Sequence, residues 1–222
     1  MSGAIYLMRH SRIEPPVGIM VGGADYPLSE AGWQQGLYWH EKLKDQKFDR
    51  AFSSPLIRAR QTAALVLNGQ PDNETGLETQ PELREISLGQ WEGLTKESIL
   101  AKEPLLWERR GRDFLNTPPP GGESFADLEA RVRPAWDKII RLAGSGLLLL
   151  AVSHQAVIRV IIARISGEWP VIRFDFPWPY GVLIRLSVNR QSVARIEDII
   201  DPATAEIPSV PVRSQSRGSG EG

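Results

Sequence analysis

The sequence predicts an α/β fold: a three-layer α/β/α sandwich with a mostly parallel central sheet. Two observations predict it. Short apolar runs of strand length alternate with longer stretches of helical periodicity, the pattern of repeated strand–helix units. One of those runs, Leu147 to Ser153, is apolar at every position before its last, as a strand covered on both faces requires.

The elements follow in order. Ala4 to Met8 is the first strand and stops at Arg9-His10. Ser29 opens a helix that runs to about Asp45; its hydroxyl suits an N-cap, and Glu30 suits the positive first turn. Arg50 to Ser53 is a second strand, ended by Pro55. Leu56 to Leu67 is helical, with Leu56, Ala59, Ala63 and Val66 at helix spacing, and Asn68-Gly69 stops it. Leu77 to Gln80 is a third strand. Residues 94–120 form a lid-like insertion: a helix, then Thr117 and Pro118-Pro119-Pro120-Gly121-Gly122, which fits neither helix nor central strand. Ser124 with Asp127 makes a near capping box for a helix towards Leu142, in which Pro134 predicts a kink. After the apolar strand comes a helix over Ala156 to Ser166. Strands over Val182 to Val188 and Ala194 to Ile200 finish the fold as a hairpin around Asn189. One domain therefore spans 1–201, and the Pro-, Ser- and Gly-rich residues 202–222 read as a disordered tail.

Composition narrows the function. With 41% hydrophobic and 24% charged residues, the 222-residue chain is ordinary globular material. Lys and Arg (26) balance Asp and Glu (27), which argues against coating nucleic acid or an anionic membrane. No apolar run approaches the ~20 residues needed to span a bilayer. The opening MSGAIYLMRHSR has no basic leader followed by a long apolar stretch, so a cytoplasmic location is the expectation. The absence of cysteine excludes disulfides, thiolate metal sites and cysteine nucleophiles. Imidazole chemistry must come from His10, His40 or His154, and His40 lies mid-helix as a packing or surface residue.

In open parallel sheets, ligands bind beyond the carboxyl ends of the strands. Three polar clusters fall there: Arg9-His10-Ser11, Ser53-Ser54-Pro55 with Arg58 one turn on, and Ser153-His154-Gln155. Two histidines and two arginines at one rim make a cationic pocket. Arginine forks match phosphate oxygens, and helix N-termini add N–H donors. A phosphoryl group is the natural ligand, and a neutral imidazole can attack it. A zinc site from His10, His154 and Glu85 is conceivable by ligand count, but Arg9 and Arg58 would repel the cation. The leaving alkoxide needs a proton. Glu85, in Leu83 to Gly93, is the candidate donor, with Glu92 the alternative. Burial beside Trp91 would raise its pKa and nearby arginines would lower it.

These residues carry a resemblance. Leu7-Met8-Arg9-His10 resembles the Arg-His signature of the histidine phosphatase superfamily, which contains phosphoglycerate mutases and many phosphomonoesterases. Ser53 to Leu56, Arg58 to Ala63, Leu83 to Gly93, Pro120 to Ser124 and Val152-Ser153-His154 are similar to that family's further blocks, in the family's order. The resemblance implies a phosphoglycerate mutase-like fold. It implies that His10 becomes a phosphohistidine, that Arg9, Arg58 and His154 bind the phosphoryl oxygens, and that Glu85 is general acid and then general base. It implies no metal and no cofactor.

Three positions depart from the family pattern. Ser11 and Gln155 stand where many members have Gly, and Pro16 where mutases place a phosphate-contacting Asn. Ser11 and Gln155, flanking the histidines, join the expected substrate-binding set. Gly93 to Lys96 and Trp107 to Arg110 resemble the mutase region that holds a substrate carboxylate, although Lys96, Arg109 and Arg110 equally suit a charged helix face. The compact Pro-Gly-Gly-Glu-Ser turn resembles small phosphatases of the α-ribazole phosphatase type. The expected activity is therefore hydrolysis of a small phosphorylated metabolite. A cofactor-dependent phosphoglycerate mutase and an inactive relative that binds phosphorylated ligands are the alternatives. The expected partner is the small phosphorylated substrate, with neither nucleic acid nor membrane, and a homodimer is left open.

Overall fold

The computed structural model describes residues 3–70, 72–74, 76–171 and 178–202. Its centre is one six-stranded sheet in the order β3-β2-β4-β1-β5-β6, with β1 Gly3–Arg9, β2 Arg50–Ser53, β3 Leu77–Thr79, β4 Leu148–Ser153, β5 Leu183–Val188 and β6 Ala194–Ile200. β3, β2, β4 and β1 are mutually parallel; β5 and β6 add as an antiparallel hairpin on one edge. The sheet is thus mostly parallel, as the sequence predicts. Asn189 shapes the hairpin turn, its Oδ1 accepting from the N–H groups of Gln191 and Val193.

Helices cover both faces. α1 (Glu30–Leu43) and α2 (Ile57–Asn68) pack on one side, α5 (Phe125–Gly144) and α6 (Gln155–Ile165) on the other, and β4 feeds both layers. Its Leu149 and Ala151 join the α5/α6 core with Trp136, Ile139 and Val157; its Leu150 and Val152 join the α1/α2 core with Trp39, Ala59 and Ala63. That two-sided burial is why every position before Ser153 is apolar.

The helix ends follow their chemistry. Ser29 Oγ accepts from Gly32 N–H, and Gly69 closes α2 in the left-handed conformation (φ 65°). Ser124 and Asp127 form the full capping box of α5. The helix runs unbroken through Pro134: Pro134 and Ala130 are both exposed, so the carbonyl that proline leaves without a donor faces water. The single helix expected in 94–120 is two, α3 (Lys96–Lys102) and α4 (Pro104–Arg112). Pro104 takes the first position of α4 and forces Glu103 out of helical geometry (φ −136°, ψ 51°). The tail lies outside the described residues from 203 onward. Among the described residues no helix is long and apolar enough to cross a membrane.

Candidate active site

Strand register builds the site. Arg9 pairs with Ser153 across β1 and β4, and Ser53 pairs with Val152 across β2 and β4. His10, Ser54 and His154 are therefore the next residues out on three adjacent parallel strands. His10 N–H donates to Ser153 O at 2.9 Å, and Ser54 N–H donates to Val152 O at 3.0 Å. The two imidazoles, one hundred and forty-odd positions apart in sequence, have ring centroids 5.0 Å apart.

The tautomer of His10 follows from its partner. Its Nδ1 lies 2.8 Å from the Ser11 carbonyl oxygen, which can only accept. Nδ1 carries the proton, and Nε2 keeps a free lone pair. Burial, together with the charges of Arg9 and Arg58, holds His10 well below the ordinary imidazole range, outweighing the Ser11 hydrogen bond. His10 is neutral at neutral pH. Burial, then His10, Arg58 and Arg9, do the same to His154. His154 Nε2 lies 2.6 Å from Ser54 Oγ, while its buried Nδ1 has no partner.

The guanidinium groups are fixed from behind. Arg58, in the first turn of α2, donates Nη1 to Ala24 O (2.6 Å) and Nη2 to Gly22 O (2.9 Å). Asp25 Oδ1 accepts Ile57 N–H at 2.7 Å, tying the same loop to the start of α2. Arg9 donates Nη1 to Trp178 O at 2.6 Å and lies 4.0 Å over the Tyr180 ring. Burial lowers both arginines from their ordinary value, and both remain cations.

Glu85 completes the group. Its Oε1 accepts the N–H groups of Ile86 (2.9 Å) and Ala156 (3.2 Å), the latter in the first turn of α6. Part of its surface opens on the cavity, but the surrounding protein still desolvates it. Burial raises its pKa; the Ile86 N–H, Arg58, Arg9 and the Ala156 N–H pull the other way, and burial wins. The fold thus signs the sum that sequence leaves open.

A cavity of about 420 Å³ opens at this rim, walled by Arg9, His10, Arg58, Glu85, Gln155 and Tyr180 among others. Of the seven expected site residues, Ser11 and His154 stand behind that wall. Ser11 orients His10 through its carbonyl and donates its N–H to Thr62 Oγ1 at 2.9 Å. Among the described residues, five buried side-chain polar atoms lack a partner. Four belong to the expected set: Arg9 Nε, Ser11 Oγ, Arg58 Nε and His154 Nδ1. Buried polar atoms are nearly always paired, so this cluster marks a place built for a polar ligand.

Other expectations resolve plainly. Glu92 Oε1 accepts Gly23 N–H and Leu88 N–H, a structural role. His40 Nδ1 contacts Val66 O between α1 and α2, Arg60 pairs with Glu74, and Pro16 is exposed. Among the described residues no group of three His, Asp or Glu side chains is placed to hold a metal ion. Sequence reasoning missed Tyr180 and Arg159, which line this cavity, and Arg131, which pairs with Glu123 and donates to the Glu85 carbonyl. Arg159 lies one helical turn after Gln155, a spacing that puts both on one face of α6 and could have found it.

Neutral imidazole, paired guanidinium forks and a carboxyl raised by burial at the carboxyl ends of parallel strands define a class: an α/β protein built to receive a phosphoryl group. The model of the histidine phosphatase superfamily (branch 1) matches residues 5–198, and the chain belongs to that family. It is 34% identical over 162 residues to the adenosylcobalamin/alpha-ribazole phosphatase of Salmonella typhimurium, covering 72% of this chain and 78% of that protein. It is also 34% identical over 172 residues to the 2,3-bisphosphoglycerate-dependent phosphoglycerate mutase of Rhizobium meliloti, covering 73% and 79%. The crystal structure of the alpha-ribazole phosphatase from Shigella flexneri superposes with a TM-score of 0.75 at 28% identity, covering 89% of this chain and 96% of that one.

Proposed function

We propose that this protein hydrolyses phosphate monoesters of small metabolites in two steps through a phosphohistidine on His10. In the first step His10 Nε2 attacks phosphorus, and the bond to the ester oxygen breaks. Glu85 gives its proton to the departing alkoxide. In the second step the Glu85 carboxylate takes a proton from water, the resulting hydroxide attacks phosphorus, and inorganic phosphate leaves with His10 restored. Arg9, Arg58 and the His154 N–H balance the charge on the three non-bridging oxygens throughout. Gln155 adds a polar group on the same wall. The reading needs no metal or cofactor, and it includes a cytoplasmic location, where charged phosphorylated metabolites are held.

One observation carries the reading: His10 Nδ1 is committed to the Ser11 carbonyl, so the free lone pair on Nε2 is neutral and available among cations. The test is direct. The protein incubated with a phosphate monoester should carry an acid-labile, base-stable phosphoryl group, and His10→Ala should lose both that group and turnover. Turnover retained by His10→Ala removes the proposal.

A mutase reading has the Rhizobium relative in its favour, and the buried Arg110 in the cavity wall is a cation that could meet a second acidic group. Conversion of 3-phosphoglycerate to its isomer faster than phosphate release would select it.

A further inference from the structure

Beside the phosphoryl cavity lies a second one of about 200 Å³, walled by Met20, Leu88, Trp91, Trp107, Gly111 and Phe114, with Arg110 at its edge. The two share Met20, Leu88 and Arg110 in their walls, so they adjoin. The annex is apolar and aromatic. Trp91 and Trp107 pack against each other with ring centroids 5.5 Å apart, and the one polar atom of Trp91, Nε1, donates to Glu103 Oε2 at 3.1 Å. Among the described residues that line it there is no acidic or hydroxyl-bearing side chain to meet a sugar. An apolar cavity of about 150 Å³ holds one benzene ring, so 200 Å³ accommodates a larger flat ring system.

Resting on the phosphomonoesterase reading, we propose that the annex selects the alcohol half of the substrate, and that this half carries a flat apolar or aromatic ring system. The phosphoryl group sits among Arg9, His10 and Arg58, a short polar linker passes Arg110, and the ring lies on Trp91, Trp107 and Phe114. α3 and α4, the segment between Lys96 and Arg112, thereby set specificity.

Gly111 makes the proposal testable. It lies in α4, and a Cβ added there meets no heavy atom within 4 Å. A larger residue in a helix at that point folds at least as well as glycine, and because Gly111 lines the annex, leucine there adds bulk to its wall.

The test uses ethyl, 2-phenylethyl and 2-(1-naphthyl)ethyl phosphate, whose leaving groups are all primary alkoxides, so chemistry is matched and only the ring differs. A well-buried methylene is worth about 10-fold or more in kcat/KM in such pockets. The wild type should therefore prefer the naphthylethyl over the ethyl ester by about 10-fold or more, and Gly111→Leu and Trp107→Ala should each erase most of that preference. Equal kcat/KM for the three esters, or a preference that survives Gly111→Leu, overturns the proposal. A calorimetric arm separates it from the hydrolase reading. His10→Ala should bind the naphthylethyl ester more tightly than the ethyl ester, and His10→Ala/Gly111→Leu should not. Equal affinities in that arm defeat the annex even if turnover fails for another reason, whereas absent turnover with intact selective binding defeats only the hydrolase reading.

Discussion

Arg131 grips Glu123 through two parallel contacts, Nε to Oε1 at 2.7 Å and Nη2 to Oε2 at 2.8 Å. The same guanidinium donates to the carbonyls of Glu82 (2.7 Å), Arg84 (3.1 Å) and Glu85 (3.4 Å). Glu123 in turn accepts Ser87 N–H at 2.9 Å and donates its own N–H to Ser87 O at 2.8 Å. One ion pair therefore fixes the backbone on both sides of Glu85 to the start of α5.

Arg131→Ala should loosen that segment. The pair is about one-fifth exposed on each side, so its loss falls between the surface and buried limits, about 2 kcal/mol. For a chain of this size that is a fall in Tm of about 4–8 °C. If the pair positions Glu85, the same variant slows ethyl phosphate more than p-nitrophenyl phosphate, whose leaving group needs little protonation. Equal slowing of both would leave Arg131 a stability device only. The pair also responds to acid. Burial pushes Glu123 up, but the Arg131 and Ser87 N–H donors hold it below its ordinary value. A depressed carboxyl contributes stability that is full above the unfolded value and is lost as pH falls through the folded one.

The pH profile follows from the opposite shifts of His10 and Glu85. His10 must be neutral to attack, and its lowered pKa moves the acid limb of kcat/KM well below the usual imidazole range. Glu85 must be protonated to assist departure, and its raised pKa places the alkaline limb above the usual carboxylate range. The optimum lies between the two limbs, and Glu85→Gln should flatten the alkaline limb while slowing alkyl esters most. Stability moves with the same groups. His10 and His154 refuse protons that the unfolded chain accepts at about pH 6.5, so stability falls as pH drops below that value. Glu85, binding its proton more tightly when folded, opposes this only in its own window above about pH 4.5. Two histidines outweigh one carboxyl: Tm should fall on acidification from pH 7 to 5, and a rising Tm would contradict the assigned shifts.

The fold was legible because its signals are local. A six-residue apolar run, too short for a buried helix and followed directly by a polar cluster, reads as a doubly covered strand, and β4 is one. The rim was legible for the same reason, since Arg9-His10, Ser53-Ser54 and Ser153-His154 each follow a strand directly. What was hidden depends on chain crossing. Tyr180 reaches His10 and Arg9 from the turn before β5, with nothing in its neighbours to mark it. Arg131 reads as one more charge on the outer face of α5 until the loop over Glu82 to Ser87 is seen lying against it. Phe114 joins Trp91 and Trp107 only through packing: Trp91 ends the 3-10 turn Gly89–Trp91, Trp107 lies in α4 and Phe114 in the turn after it, so the contact of α4 with that 3-10 turn gathers them.

Ser54 is expected to act through His154. Its Oγ sits 2.6 Å from His154 Nε2 and also accepts Leu56 N–H at 3.2 Å, so the ring is fixed through Nε2 and its Nδ1 is the nitrogen left for the ligand. Ser54→Ala leaves a buried imidazole nitrogen without a partner, which costs about 1–3 kcal/mol, and frees the ring to rotate. Vanadate, whose trigonal-bipyramidal form mimics the in-line transition state, should inhibit the wild type and lose affinity in Ser54→Ala. Unchanged vanadate inhibition with lowered stability would mean that Ser54 supports the fold but not the orientation of His154.

Gly22 is the residue on which Arg58 depends. It has φ 49°, and a Cβ there would lie 2.8 Å from Glu92 Oε1 and 2.9 Å from Leu88 Cγ. The Glu92 oxygen cannot simply swing aside, because it accepts the N–H groups of both Gly23 and Leu88. Left-handed backbone alone costs a side-chain-bearing residue about 1–2 kcal/mol, so Gly22→Ala must move the loop whose carbonyls hold Arg58. Arg58→Lys loses the same geometry from the other side, since an ammonium cannot span Ala24 O and Gly22 O while facing the phosphoryl group. Both variants should therefore lose affinity for vanadate and for substrate together, with kcat/KM falling about 100-fold, the scale of a lost oxyanion contact. If Gly22→Ala folds with wild-type vanadate affinity, Arg58 is not held by that loop, and the guanidinium must reach the phosphoryl group without it.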